Sequence, residues 1–400
     1  MRTRAICLAL LIVLLSRYSS AQWVQTLGPY GGYVRALAYS GTNLFAGTVA
    51  GGVFLSTDNG ASWTRANVGL TNTSVYSLAV SRTNLYAGTN GGGVYVSSDN
   101  GKSWTPVNTG LMDLTVLSLA VSGPNLFAGT NGSGVFLSTD NGTRWNRAST
   151  GLRNLIVEAL VVSGTNLFAG TSGGVFRSSN HGTSWIAASR GLTCPYVLAF
   201  AVSGRNLFAG TSGGVFLSTN SGASWTAAST GLPNTIVKAF AFFGTNLFAG
   251  TSGSGVFLST SGGTGWSAAS KGLPNLTVCA LAISAQYLYA GVSGEGVWRR
   301  VLSEMIPTSV STTNDELPSC FRLDQNYPNP FNPTTVVSYQ LSSVTDVKLV
   351  VYDIFGREAA VLVNEKKAPG SIRLLLMGLV FQVACTSTVC RRATLSQRRG

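Results

Sequence analysis

Asn43-Leu44-Phe45-Ala46-Gly47-Thr48 returns as Asn84-Leu85-Tyr86-Ala87-Gly88-Thr89, and the same string, slightly varied, comes back five more times. Its aromatic residue falls at Phe45, Tyr86, Phe127, Phe168, Phe208, Phe248 and Tyr289, in steps of 41, 41, 41, 40, 40 and 41 residues. A period of about 40 to 45 residues made of short strands is what one blade of a β-propeller looks like.

One unit shows why the copies must stack. Val75-Tyr76-Ser77-Leu78-Ala79-Val80 alternates as a first strand, Leu85-Tyr86-Ala87-Gly88-Thr89 is a second, Gly93-Val94-Tyr95-Val96-Ser97 a third and Ser103-Trp104-Thr105 a fourth. Gly and Asn punctuate the gaps between them. Four short strands cannot bury both of their faces alone, and a closed ring of such sheets leaves only short, protected edges. The last unit keeps Tyr289-Ala290-Gly291-Val292 and Gly296-Val297-Trp298 and then stops before a fourth strand. Trp23-Val24-Gln25-Thr26 matches the fourth-strand string Trp63-Thr64-Arg65-Ala66, so the N-terminal strand is expected to complete the last blade. Trp23, Trp63, Trp104, Trp145, Trp185, Trp225 and Trp266 then supply one fourth-strand Trp to each of seven blades.

Between the third and fourth strands stands Ser56-Thr57-Asp58-Asn59-Gly60-Ala61-Ser62-Trp63, the pattern S-x-D-x-G-x-S-W. The carboxylate can accept backbone N–H groups across the turn, Gly supplies the positive φ and Trp fastens the hairpin to the core. The pattern recurs as Ser97, Asp99, Gly101 and Trp104, and as Ser138, Asp140, Gly142 and Trp145 with Arg144 in place of the second Ser. Later copies drift, with Asn180, Gly182 and Trp185, then Asn220, Gly222 and Trp225, then Ser261 where the acid stood. The motif resembles the Asp-box repeats of sialidases, of some glycoside hydrolases and of photosystem assembly factors. In those families the box is a structural turn away from the active site, and the drift from Asp to Asn agrees, because a turn cap tolerates Asn and a catalytic carboxylate does not.

Catalysis would need residues of its own. A sialidase-like site takes an arginine cluster, a Tyr nucleophile with an acidic partner and an acid; most glycosidases take two carboxylates flanking the bond. The repeat region has six acids, Asp58, Asp99, Asp113, Asp140, Glu158 and Glu295, three of them in the turns. Asp113 with Glu158 is the one carboxylate pair that can be nominated. His181, the single histidine, lies in a turn without a Cys or carboxylate cluster, so neither a metal site nor a Ser-His-Asp triad is expected. No blade carries an insertion to shape a pocket. The loops before first strands (Asn72-Thr73-Ser74, Met112-Asp113-Leu114, Arg153-Asn154-Leu155, Pro233-Asn234-Thr235) share a face with those between second and third strands, and read as small, polar or mildly apolar.

The formal charge of +13 is spread along the chain. From Gln22 to Arg300 there are 14 Lys or Arg against six acids, scattered singly among the units, whereas nucleic-acid binders cluster their charge. No nucleic-acid partner and no cofactor are expected. Arg2 and Arg4 precede the apolar run Ile6 to Leu15, and Ser19-Ser20-Ala21 follows, which reads as a signal peptide over residues 1–21 rather than a membrane span. Cys194, Cys279 and Cys320 fall at unrelated repeat positions and are expected to be free thiols.

After the repeats (22–302) comes a Ser, Thr and Pro linker (303–321), and then Asn326-Tyr327-Pro328-Asn329-Pro330-Phe331-Asn332-Pro333. This string resembles the opening of type A C-terminal sorting domains of the type IX secretion system. Val337 to Leu341 and Val347 to Asp353 continue as alternating strands of a small immunoglobulin-like sandwich over 322–371. The resemblance implies Sec export, recognition by the type IX machinery and release at, or attachment to, the outer surface. It stops after Gly370-Ser371, and residues 372–400 read as an out-of-frame tail. If the tail is as written, the sandwich is incomplete and the chain is expected in the periplasm; sequencing the coding DNA around codons 370 to 373 decides this.

The sequence thus predicts an all-β protein, a seven-bladed propeller followed by an incomplete sandwich. Its expected function is binding or scaffolding at the cell surface, with glycan or a surface protein as ligand; a secreted glycoside hydrolase or sialidase-like enzyme is the alternative.

Overall fold

The computed structural model describes residues 22–29, 32–81, 83–306, 322–323, 334–341, 343–352, 358–367 and 370–377. The signal peptide, Cys320, the motif Asn326 to Pro333 and residues 378–400 lie outside the described residues. The chain divides into two units at Ile306 and Pro307.

The first unit is a seven-bladed β-propeller. Among the described residues it has seven sheets of four strands and no α-helix. Blade 1 runs Val34–Ser40, Asn43–Thr48, Gly52–Ser56 and Thr64–Arg65, each strand pairing antiparallel with the next. The other blades repeat this order. First strands touch one another in cyclic sequence, from Val34–Ser40 to Val278–Ile283 and back, so they form the inner wall of the ring. The ring closes as the repeat arithmetic requires. Val24–Gln25 pairs with the third strand of blade 7, Gly296–Val301, with Val24 opposite Arg299 and Gln25 opposite Trp298.

The core lies between blades, which is why the unit needs its copies. Phe45, Val53, Ala66 and Leu70 of blade 1 pack with Val75, Leu85, Ala87, Tyr95 and Trp104 of blade 2. Six of the seven junctions carry the same fastening. The Nε1–H groups of Trp104, Trp145, Trp185, Trp225, Trp266 and Trp23 donate to a backbone carbonyl of the preceding blade at 2.7–2.8 Å. The same six residues donate their backbone N–H to a second carbonyl, as Trp145 does to Thr109 O at 2.8 Å. Trp63 stands where the ends of the chain meet, and its Nε1–H goes instead to the Thr26 hydroxyl, at 3.1 Å.

The aromatic marker has a partner in the next blade. A Cβ on Gly101 of blade 2 would lie 2.8 Å from the Phe45 ring, and one on Gly222 of blade 5 would lie 2.5 Å from that of Phe168. The repeated aromatic and the repeated turn glycine are therefore two halves of one contact.

The second unit has a sheet of Arg322–Leu323, Thr334–Leu341 and Gly370–Met377, and a hairpin of Thr345–Tyr352 with Glu358–Lys367. Tyr339, Leu341, Val347 and Val363 are buried. Ile372 to Met377, assigned above to an out-of-frame tail, continue the strand begun at Gly370, with Ile372 opposite Tyr339 and Leu374 opposite Val337.

Candidate functional site at the mouth of the ring

Successive strands run in opposite directions, so the turns between third and fourth strands lie at one end of the ring and the starts of the first strands at the other. The Ser-x-Asp turns occupy the first of these ends. Ser56 Oγ donates to Asp58 Oδ1 at 2.8 Å and accepts the Gly60 N–H at 2.7 Å. Asp58 also takes the Ser62 N–H at 2.9 Å and its hydroxyl at 2.5 Å. Asp99 repeats this, Asp140 takes the Arg144 N–H at 2.9 Å but no hydroxyl there, and Asn180 and Asn220 keep the N–H bond with Oδ1 in the same role, at 2.9 Å from Ser184 N and Ser224 N. In blade 6 Ser261 Oγ accepts the Gly265 N–H at 3.0 Å. All the donors a carboxylate could use are thus turned back on its own turn.

Those donors hold Asp58 and Asp99 at a pKa of about 2, the Ser62 and Ser103 hydroxyls contributing most. A depressed carboxylate pKa gives stability that is whole above its unfolded value near 4 and is lost as pH falls toward 2. Thermal melts from pH 6 to 2 are therefore expected to drop below pH 4, and an Asp58→Asn, Asp99→Asn, Asp140→Asn triple variant to drop less steeply. Both carboxylates are exposed, so the effect is modest.

At the opposite end, every first strand carries a β-bulge one or two residues in from its start. The register slips between Val34 and Ala36, Val75 and Ser77, Val116 and Ser118, Val157 and Ala159, Val197 and Ala199, Val237 and Ala239, and Val278 and Ala280. A bulge leaves one residue unpaired and re-aims its side chain. The seven bulged residues are Arg35, Tyr76, Leu117, Glu158, Leu198, Lys238 and Cys279.

Several of these meet across the ring. Arg35 of blade 1 places a guanidinium nitrogen 3.9 Å from Glu158 Oε2 of blade 4, and its central carbon lies 4.1 Å from the centre of the Tyr76 ring of blade 2. Tyr196, just before the first strand of blade 5, donates its hydroxyl to Glu158 Oε1 at 2.9 Å. Burial first, and Glu158 second, push the Tyr196 phenol up to about 12, so it remains a donor at neutral pH. Tyr33 is also raised to about 12, by burial and by the Cys279 thiol beside it. Cys194 and Cys279 are free.

Around this centre stand exposed apolar side chains from blades 3, 4, 6 and 7. Met112 is 78 % and Leu114 40 % exposed in blade 3, Ile156 and Ile236 are each 37 %, and Leu276 is 40 %.

Of the nominated carboxylates, only Glu158 reaches this cluster. Asp113 Oδ1 accepts the Thr115 N–H at 3.0 Å, as Asn72 does from Ser74, Asn154 from Ile156 and Asn275 from Thr277. It caps a loop at a position where other blades use Asn, and the spacing of 41 from Asn72 and from Asn154 was the available signal. Glu295 bonds through its backbone, its carbonyl accepting the Gln25 amide at 3.1 Å and its N–H going to Val292 O at 3.1 Å. Among the described residues no group of three or more His, Cys, Asp or Glu could hold a metal, and no helix is long and apolar enough to cross a membrane.

Comparison with known proteins gives the same fold. Residues 32–157, which span blades 1 to 3, match the family described as the DUF6242 beta propeller domain. Among solved structures, the chain is similar to the extracellular domain of a one component system from B. thetaiotaomicron, at 17 % identity and a TM-score of 0.61 over 80 % of this chain and 45 % of that one. It is similar to YCF48 from Cyanidioschyzon merolae, at 16 % identity and a TM-score of 0.56 over 72 % of this chain and all of that one. It is also similar to PorZ, a surface component of the type IX secretion system of Porphyromonas gingivalis, at 13 % identity and a TM-score of 0.55 over 87 % of this chain and 55 % of that one. The chain thus spans about half the length of the first and last of these. No curated protein matches it.

Proposed function

We propose that this propeller is an exported binding module that docks a protein segment at the mouth of its ring. The observation that carries the reading is the crescent of Met112, Leu114, Ile156, Ile236 and Leu276 around the Arg35, Glu158 and Tyr196 cluster. Large exposed apolar side chains gathered at one end of the ring favour that end as an interaction surface. Aliphatic side chains suit other aliphatic side chains better than sugar rings, which favours protein over glycan as ligand.

The extracellular and surface placement of two similar structures supports a surface location. The string Asn326 to Pro333 and the PorZ likeness together support export through the type IX machinery. The turn geometry supports kinship with Asp-box propellers, with the turns as structural devices.

The test selects peptides from a random 12-residue display library on the immobilised full chain. Ile156→Asp with Ile236→Asp is expected to weaken the selected peptides at least tenfold, whereas Ile186→Asp, on an outer strand and 57 % exposed, is expected to leave them unchanged. Equal binding by both variants would remove the mouth as the site.

A second reading rests on one contact, the Tyr196 to Glu158 hydrogen bond beside Arg35, which a sialidase-like hydrolase could use. We read the module as a non-enzyme because this cluster pairs one arginine, Arg35, with one acid, Glu158, where a sialidase-like site takes an arginine cluster and a further acid. Turnover of a fluorogenic sialoside that disappears in Tyr196→Phe would reverse that.

A further inference from the structure

The mouth carries two cations and one acid on its bulged positions, and the acid is already engaged. Glu158 is 14 % exposed at its side chain and accepts the Tyr196 hydroxyl. Arg35 is 36 % exposed, and its nearest approach to Glu158, 3.9 Å, is longer than a hydrogen bond. Its five N–H donors find no acceptor among the described residues, although its flat face rests on Tyr76. Lys238, at the bulge of blade 6, makes no ion pair among the described residues. The mouth therefore presents a planar guanidinium, supported on one face by the Tyr76 ring.

From this charge complementarity we infer that the mouth receives an aliphatic peptide segment bearing a carboxylate, a C-terminus or an Asp or Glu side chain, which binds the Arg35 guanidinium in place of Glu158. A fork-shaped donor matches a carboxylate through two parallel hydrogen bonds, a geometry that a lysine cannot reproduce. Lys238 adds a second, less directional attraction. The rim then takes the aliphatic neighbours of the acid. The inference rests on the mouth being the docking face.

The experiment uses the full chain and the peptides selected as above, made with their acids intact and with every carboxyl converted to amide. Three results are expected. The amide forms bind about tenfold more weakly, Arg35→Gln loses about the same factor while Arg35→Lys loses less, and Glu158→Gln binds the acid forms more tightly because the internal competitor is gone. The opposite signs of Arg35→Gln and Glu158→Gln are what mere structural damage would not produce. Thermal melts of the variants check that each is folded.

Peptides that depend on Ile156 and Ile236 but ignore Arg35 would overturn the carboxylate assignment and leave the docking face standing. Peptides indifferent to all of these residues, or no enrichment at all, would overturn both. Retention of sialyllactose at Arg35 with no peptide selected would overturn the peptide class in favour of an acidic sugar.

Discussion

Trp23→Ala is expected to cost about 4 kcal/mol of propeller stability, the range for removing a buried aromatic from a core. The ring is 2 % exposed and packs with Phe248, Val256, Leu258, Val278 and Leu302, so truncation leaves a cavity bordered by blades 6 and 7. It also removes the Nε1–H bond to Ala269 O at 2.7 Å. What distinguishes this residue from its six counterparts is its strand. Val24–Gln25 is the single short strand by which the start of the unit holds its end, and Trp23 anchors it. Trp63→Ala is expected to cost about half as much, because that ring is only half-buried and its N–H bonds a hydroxyl. A melting temperature lower by about 8 °C for Trp23→Ala, against about 4 °C for Trp63→Ala, is the result to look for. Equal losses would mean that the closing strand holds no more than any other blade edge.

Gly151→Ala is expected to be the second most damaging change, at about 3 kcal/mol. Gly151 has φ +84° and follows Thr150, whose carbonyl accepts the Trp185 N–H at 2.8 Å. A Cβ there would fall 2.3 Å from the Trp185 carbonyl oxygen, which is backbone and cannot swing aside. The left-handed conformation alone costs an alanine about 1 kcal/mol, and separating blade 3 from blade 4 adds the rest. Gly164→Ala separates the two contributions. That residue has φ +60° and nothing within 4 Å of its would-be Cβ, so only the backbone cost remains. Urea unfolding of both variants reads the difference, and equal midpoints would show that the interblade approach is slack.

Much of this architecture could be read one residue at a time. The spacing of Phe45, Tyr86 and their successors gave the blade, and the match of Trp23 to Trp63 gave the closure, because each is a local pattern repeated along the chain. The mouth was hidden for the opposite reason. Arg35 and Glu158 are separated by 123 positions, and only a closed circle of seven puts blade 1 opposite blade 4. Bulges carry no signature in these strings, since Val34-Arg35-Ala36 alternates like an ordinary strand. Charge and nearness to a first-strand start pair Asp113 with Glu158 in the sequence, yet its Asn counterparts at 72 and 154 mark it as a loop cap.

The bulges have a consequence for how such a ring changes over time. Each bulged residue lies outside the ladder, so the fold asks little of its identity: the seven copies hold Arg, Tyr, Leu, Glu, Leu, Lys and Cys without altering the strands that flank them. A new ligand preference can therefore be written by single substitutions at seven positions that the scaffold does not read, one per blade. A repeat that looks monotonous along its length thus keeps its variety in one small circle.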